Sequence, residues 1–302
     1  MAGFGEAATA FVAGWRGLGE VQVAVYDIKT DAASDTVRRD KWADYDRWGI
    51  DGRATMAKAV GGADLVFSAV TPDQAVIAAT TAAPHLAPRT LYLDCNSCAP
   101  GAKRAAADIV ETAGARYVDI AVMAPVHPAL HKTPMLISGP HTDETIAALG
   151  KLAMNPQPVE GGIGAAAAIK MIRSVMMKGL EALVLECVLA GRKAGVADTV
   201  LASLDASYPG FDWRKRAAYM LERVATHGVR RAGEMTEAAR TVDELGLGGA
   251  MSLAASDWQR RVGKLGLTAA DIGEKDYEKL ADAILERLPL VPDGSDRTTE
   301  RK

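Results

Sequence analysis

Lys170 is the residue in this chain whose surroundings best suit proton transfer. It follows Gly161-Gly-Ile-Gly164 at the start of a long helical pattern, among Ile169, Met171, Ile172, Val175, Met176 and Met177. Ser174 and Lys178 come one and two turns later on the same face. An amine held among apolar neighbours is suited to general acid–base work. The plainer alternative is a lysine whose stem lies along apolar surface while its ammonium reaches water. Spacing leaves both open.

A second constellation lies at the opposite end of the chain. Gly3-Phe4-Gly5-Glu6-Ala-Ala8 has the pattern G-x-G-x-x-A at the start of a helical run. The first glycine permits a tight turn, and the second lets backbone approach a pyrophosphate at the helix N-terminus. Asp27 ends the following strand pattern, about 20 residues on, where an acid accepts hydrogen bonds from an adenosine ribose. It would repel a 2′-phosphate, whereas Lys29 beside it would attract one, so NAD is only slightly favoured over NADP. A glycine-rich helix start without a ligand is the alternative.

Two further groups are weaker. Cys95-Asn-Ser-Cys98 has redox spacing, but no second pair and no histidine at metal-ligand spacing accompany it, so two small buried thiols are expected and no metal. His227-Gly-Val-Arg230-Arg231, followed by Glu234, reads as the opening of a helix. It is either a solvated basic turn paired with the acid or a pocket for a substrate carboxylate or phosphate.

These residues need a scaffold, and the first half of the chain supplies one. Strand patterns at 21–26, 65–70, 91–93, 116–118 and 134–138 alternate with helical stretches, which predicts an α/β fold with a Rossmann-type, doubly wound parallel sheet. Asp27, Thr71, Asp94 and Asp119 end strands, where ligands sit in open α/β sheets. The fingerprint should follow a strand, yet only Met1 and Ala2 precede it, so the first strand reads as missing or truncated. After Asn155-Pro-Gln-Pro158 the pattern becomes wholly helical. A run from Ala165 to Ala194, with Gly179 and Gly191 its only breakers, would span roughly 45 Å, and further helices are expected at about 196–206, 212–226, 229–245, 249–264 and 274–288. The expected organisation is a dinucleotide-binding domain over 1–158, an all-α domain over 159–291 entered by a long interdomain helix, and a flexible tail over 292–302.

Composition sets the outer bounds. The 302 residues are 49% hydrophobic and 24% charged, with net charge −3, enough to bury a core and without the basic excess that nucleic acid or an anionic membrane would ask for. Aromatic residues at 5% give little material for base stacking. Three cysteines, no apolar run of membrane-spanning length and no signal-peptide pattern make the cytoplasm the expected location.

Taken together, four stretches in order resemble the beta-hydroxyacid dehydrogenase family, which includes 3-hydroxyisobutyrate and 6-phosphogluconate dehydrogenases. They are GFGEAATAF, LDCNSCAPGAKR, YVDIAVMAPV and GGIGAAAAIKMIRS. HGVRRAGEM most resembles a poorly characterised phosphogluconate-dehydrogenase-like subgroup. The resemblance implies hydride transfer between nicotinamide and the carbinol carbon of a small hydroxy acid or related alcohol, with Lys170 as general acid/base assisted by Ser174. It implies cofactor contacts at Gly3, Phe4, Gly5, Glu6, Asp27, Lys29, Val70, Thr71 and Asn96, substrate contacts at Ser97, Met123, Ala124, His227 and Arg231, and a homodimer. Ser174 departs from the family's usual Asn, Asn96 and Ser97 from Ser and Thr, and Met123, Ala124 and Pro125 from Ser-Gly-Gly. Met177 stands where 6-phosphogluconate dehydrogenase has an acid that assists decarboxylation. These departures leave the substrate unnamed. An imine or ketone reductase on the same scaffold and a non-catalytic dinucleotide-binding protein are the competing readings.

Overall fold

The computed structural model describes residues 1–19, 21–268, 271 and 276–289; the expected tail over 292–302 lies outside them. The chain divides into two compact units. One is Met1–Ser174 with Glu237–Gly249, and the other is Val175–Thr236 with the described residues from Ala250 onward.

The first unit is built on a sheet of order β3-β4-β5-β6-β7: Leu65–Ser68, Leu91–Asp94, Arg116–Val122, Pro134–Ser138 and Asn155–Pro158. A two-stranded sheet pairs β1 (Ala24–Val25) with β2 (Asp51–Gly52). All pairings are parallel except β5 with β6, so the expected parallel sheet contains one antiparallel pair. Val66, Tyr92 and Tyr117 stand in one register row and Phe67, Leu93 and Val118 in the next. Because successive side chains alternate across a strand, the two rows feed opposite cores. The first row packs with Ala79 and Ala82 of α4 (Ala75–Ala82) and with Ala106 and Val110 of α5 (Pro100–Thr112). The second packs with Phe11 and Trp15 of α1 (Glu6–Trp15) and Leu149 of α6 (Thr142–Lys151). This is the doubly wound arrangement, and it explains why these strands read as apolar runs rather than alternating ones.

The slot between β1 and β3 is filled by the first residues of the chain. Ala2 bridges Tyr26 on one side and Ser68 on the other, both in parallel. Ala2 N donates to Phe67 O, Gly3 N to Tyr26 O and Ala69 N to Ala2 O, all at 2.8–2.9 Å. The 21–26 strand pattern is realised only over Ala24–Val25. Conversely, β7 was not legible, because Pro156 and Pro158 disguise an edge strand.

The long helix is present as α7, Ala165–Lys193. In the second unit α8 spans Ala197–Ser207 and α10 Ala250–Gly263, and the last described helix is Tyr277–Arg287. The two helices expected at 212–226 and 229–245 are one continuous helix, α9, Trp213–Glu244. His227-Gly228 therefore lies inside a helix and opens nothing. Gly228 is there for packing: a Cβ on it would run into the Gln259 carbonyl and Gly263. Val184, Leu185, Val188, Leu221, Val224, Val262, Leu280 and Ile284 form the core of this unit.

Candidate functional site

The site grows from the carboxyl ends of the strands. Gly3 has φ +89°, and a Cβ on it would collide with the Ala69 carbonyl, so this turn requires glycine. A Cβ on Gly5 would meet nothing within 4 Å. Gly5 is the exposed N-cap of α1 and gives it no side-chain cap. The loop between the glycines is clamped from both ends. Phe4 N donates to Asp27 Oδ2 at 2.8 Å, and Phe4 O accepts from Lys41 Nζ at 3.0 Å. Asp27 Oδ1 also accepts from Lys29 N at 2.9 Å. Both Asp27 oxygens are thereby fixed at the end of β1. A loop open at Gly5, an uncapped helix end and an oriented acid fit the diphosphate and adenosine ribose of a dinucleotide.

Lys41, on α2 (Asp35–Trp48), was not picked out from sequence. It is buried, ion-paired to Asp44 at 3.3 Å, and sits in a stretch that reads simply as polar.

Across the sheet, Ser68, Asp94, Asp119 and Ser138 share one register row, and all four are fully buried. Asp94 and Asp119 had been expected to face a ligand. They face inward instead, because a buried cation claims them. Lys103 Nζ reaches Asp94 Oδ1 at 3.0 Å and Asp119 Oδ1 at 3.4 Å. Burial alone would lower the lysine's pKa, but Asp94 and Asp119 reverse this and hold it above its ordinary value. Tyr117 donates to Asp94 Oδ2 at 2.6 Å. Lys103 stands on the apolar stripe it shares with Ala106, Ala107 and Val110, a spacing that could have revealed it.

Asn96 is also buried. Its Oδ1 accepts from Val70 N at 2.7 Å and its Nδ2 donates to Ser68 Oγ at 3.0 Å, so it ties together the ends of β3 and β4. Ser97, the next residue, is partly exposed, and its Oγ accepts a hydrogen bond from Lys170 Nζ at 2.6 Å. Two residues chosen from stretches far apart in sequence thus meet. Ser174 Oγ donates back to Lys170 O at 2.9 Å and is buried. At the far end of β5, Met123 N donates to Pro134 O at 2.9 Å, Met123 is partly exposed and Ala124 is exposed. Glu6, Lys29 and Thr71 are exposed and Val70 partly so.

His227 and Arg231 belong to the second unit. Arg231 is buried and donates to Glu181 Oε2 at 2.6 Å, so its charge is already answered within the fold. Lys178 pairs with Glu234 at 2.8 Å. Burial, then Arg223, Arg230 and Arg231, lower the pKa of His227.

Cys95 and Cys98 are buried, and burial pushes both thiols up to about 12, which leaves redox chemistry without its thiolate. Among the described residues no group of three or more His, Cys, Asp or Glu is placed to hold a metal ion, and no helix is long and apolar enough to cross a membrane.

Comparisons with known proteins agree with this geometry. Residues 18–154 match the NAD binding domain of 6-phosphogluconate dehydrogenase, and residues 192–262 match a domain of unknown function (DUF1932). A conserved hypothetical protein from Sinorhizobium meliloti 1021 is 35% identical, with 95% of each chain covered and a TM-score of 0.74. A conserved protein of unknown function, noted for structural similarity with 3-hydroxyacid dehydrogenases, is 27% identical over 86% of this chain and 96% of its own, with a TM-score of 0.66. The 3-hydroxyisobutyrate dehydrogenase of Mycobacterium tuberculosis shares the fold at 16% identity, 94% and 97% coverage and a TM-score of 0.67. An uncharacterized 28.5 kDa protein of Methanothermus fervidus is 27% identical over 48% of this chain, and the match spans 55% of that protein's length. A glycine turn ahead of a helix on a doubly wound sheet, a helical second unit and near full-length relatives lead to one assignment: the chain belongs to the beta-hydroxyacid dehydrogenase family.

Proposed function

We propose that the protein is an NAD(P)-dependent dehydrogenase that moves hydride between nicotinamide and the carbinol carbon of a small hydroxy acid or related alcohol. The observation that carries this reading is the hydrogen bond from Lys170 Nζ to Ser97 Oγ at 2.6 Å. It places an amine and a hydroxyl together at the carboxyl edge of the sheet that carries the dinucleotide loop. The dinucleotide, when bound, supplies the hydride acceptor or donor. Gly3, Phe4, Gly5 and Glu6 hold its diphosphate, Asp27 its ribose, and Val70, Thr71 and Asn96 shape the wall beside it. Lys170 takes the substrate hydroxyl proton in oxidation and returns it in reduction. Ser97 orients the same oxygen, and Met123 and Ala124 border the substrate. Exposed Ile169, Ile172, Met176 and Leu183 on α7 offer apolar surface to a second copy and support the homodimer in this reading.

The test is Lys170→Met, which keeps length and apolar packing. Screening hydroxy acids, hydroxy ketones and imines by cofactor absorbance supplies the substrate. The variant is expected to bind NADH normally and to lose about 10²–10⁴-fold in kcat. Near-normal kcat on a verified substrate refutes the assignment. Turnover of imines alone favours the reductase reading, and cofactor binding without any turnover favours a non-catalytic protein.

A further inference from the structure

We propose that Asp119 is the positioning residue of this site: from β5 it fixes the first turn of α7 and so sets where Lys170 stands against Ser97. The inference rests on the reading of Lys170 as the proton-transfer group.

A helix begins with amides that have no intrahelical partner. At α7 each of these is accounted for. Gly164 N and Ala167 N donate to Asp119 Oδ2 at 3.0 and 3.1 Å. Ala166 N donates to Ser138 Oγ at 3.0 Å, and Ser138 Oγ in turn donates to Asp119 Oδ2 at 3.1 Å. Ala165 N donates to Gly162 O at 3.1 Å. The helix is therefore capped by a carboxylate on a neighbouring central strand and by a hydroxyl on β6. Lys170 lies one turn beyond Ala167, so its position follows the capped turn with little slack.

Ser97 is held by the equivalent device on β4. Asn96 N donates to Asp94 Oδ1 at 2.9 Å, which fixes the loop that carries Ser97. Lys103 Nζ then bridges the two frames, reaching Asp94 at 3.0 Å and Asp119 at 3.4 Å. It also donates to the backbone at Asp94 O, 2.6 Å, and Ile120 O, 3.3 Å. One buried ammonium thus links the strand that positions the hydroxyl to the strand that positions the amine. A buried ionised carboxylate needs a partner of this kind. Here the ammonium stands between two buried acids, each of which holds backbone amides at a strand end.

The consequence is mechanical. A shift of about 1 Å between reacting groups costs orders of magnitude in rate, and the Lys170–Ser97 separation depends on Asp119. Asp119→Ala removes the cap. Asp119→Asn keeps a carbonyl oxygen for Gly164 and Ala167 but removes the charge facing Lys103. Both variants lose stability, whereas only the first releases α7.

The experiment is competitive acetylation of the full-length protein with trace acetic anhydride, read lysine by lysine by mass spectrometry, beside urea unfolding and NADH titration. In Asp119→Ala, Lys170 is expected to label at least about threefold faster, with Lys58 and Lys178 unchanged. In Asp119→Asn, Lys170 is expected to label as in the parent protein despite the lower stability. Ser138→Ala, which removes the acceptor of Ala166 N, gives the same change on a smaller scale and decides the matter should Asp119→Ala not fold. Unchanged Lys170 labelling in the folded variants overturns the proposal, as does a parallel rise at every lysine, which would mark a merely structural role. The labelling needs no substrate. A Lys170→Met enzyme with normal kcat beside a Lys170-specific labelling change would leave the positioning intact and sink only the proton-transfer reading.

Discussion

The carboxylate of Glu237 accepts the amide N–H of Ala99 at 2.8 Å, so a residue of α9 caps α5. Glu244 repeats the contact at Gly101 N, at 2.9 Å. Glu237 is buried, which makes the cap costly to lose. Glu237→Ala is expected to destabilise the protein by about 1–3 kcal/mol. Glu237→Gln keeps an acceptor and should recover at least half of that. Urea unfolding of both variants is the check, and equal losses would show that the side-chain oxygen at Ala99 is not the cause.

Asp27 bears on cofactor choice. Its oxygens are fixed by Phe4 N and Lys29 N, and Lys41 nearby is engaged with Phe4 O and Asp44. In the proposed cofactor site an acid held this way favours a ribose hydroxyl over a 2′-phosphate, while the exposed Lys29 beside it limits that preference. NADH is expected to bind about two- to threefold more tightly than NADPH, a difference of under about 1 kcal/mol, and Asp27→Asn to narrow the gap. Fluorescence titration with both cofactors decides it; a tenfold preference for NADPH would reverse the assignment.

Acid should weaken the fold through histidine. Burial, then Lys132, lowers the pKa of His131 from its ordinary 6.5, and neither ring nitrogen has a hydrogen-bond partner. His227 is lowered as well. Below pH 6.5 the unfolded chain binds protons that the native rings resist. Stability is therefore full above 6.5 and declines as pH falls toward the lowered native values. His131→Phe keeps a planar ring and removes one titration, so the fall in Tm between pH 7 and pH 5 should shrink. An unchanged slope would remove His131 from the account.

The thiols should separate cleanly. Cys95 and Cys98, pushed up to about 12 by burial, are expected to resist a thiol reagent at pH 8, while the partly exposed Cys187 reacts. Rapid loss of two thiols together, with formation of a disulfide on mild oxidation, would restore the redox reading of the C-x-x-C pair.

The strands, the glycine turn ahead of α1 and the long helix that carries Lys170 were legible because each has a local signature: apolar runs between turns, glycines before a helix, a long helical pattern. What was not legible depends on partners distant in sequence. Asp94 and Asp119 look like ligand residues at strand ends, and only Lys103 across the helix layer explains why they turn inward. Gly228 looks like a helix boundary, yet its reason is the backbone of Gly263 against it. Arg231 looks like an anion receptor until Glu181 is seen beside it. The pairing Lys170–Ser97 lies between these cases: Lys170 stood out in its own stretch, Ser97 only through the family resemblance, and the fold alone brings them to 2.6 Å.

The outer margin of β7 has a consequence for how the molecule meets other chains. Val159 N donates to Ile137 O at 3.0 Å, so by strand alternation the amides of Asn155 and Gln157 also point toward β6, and positions 156 and 158 point away. Both of those are proline. The outward side of this strand therefore presents carbonyl oxygens and no N–H at all. A passing extended segment finds half of every ladder rung absent, so this margin is closed to sheet extension and to fibrillar stacking.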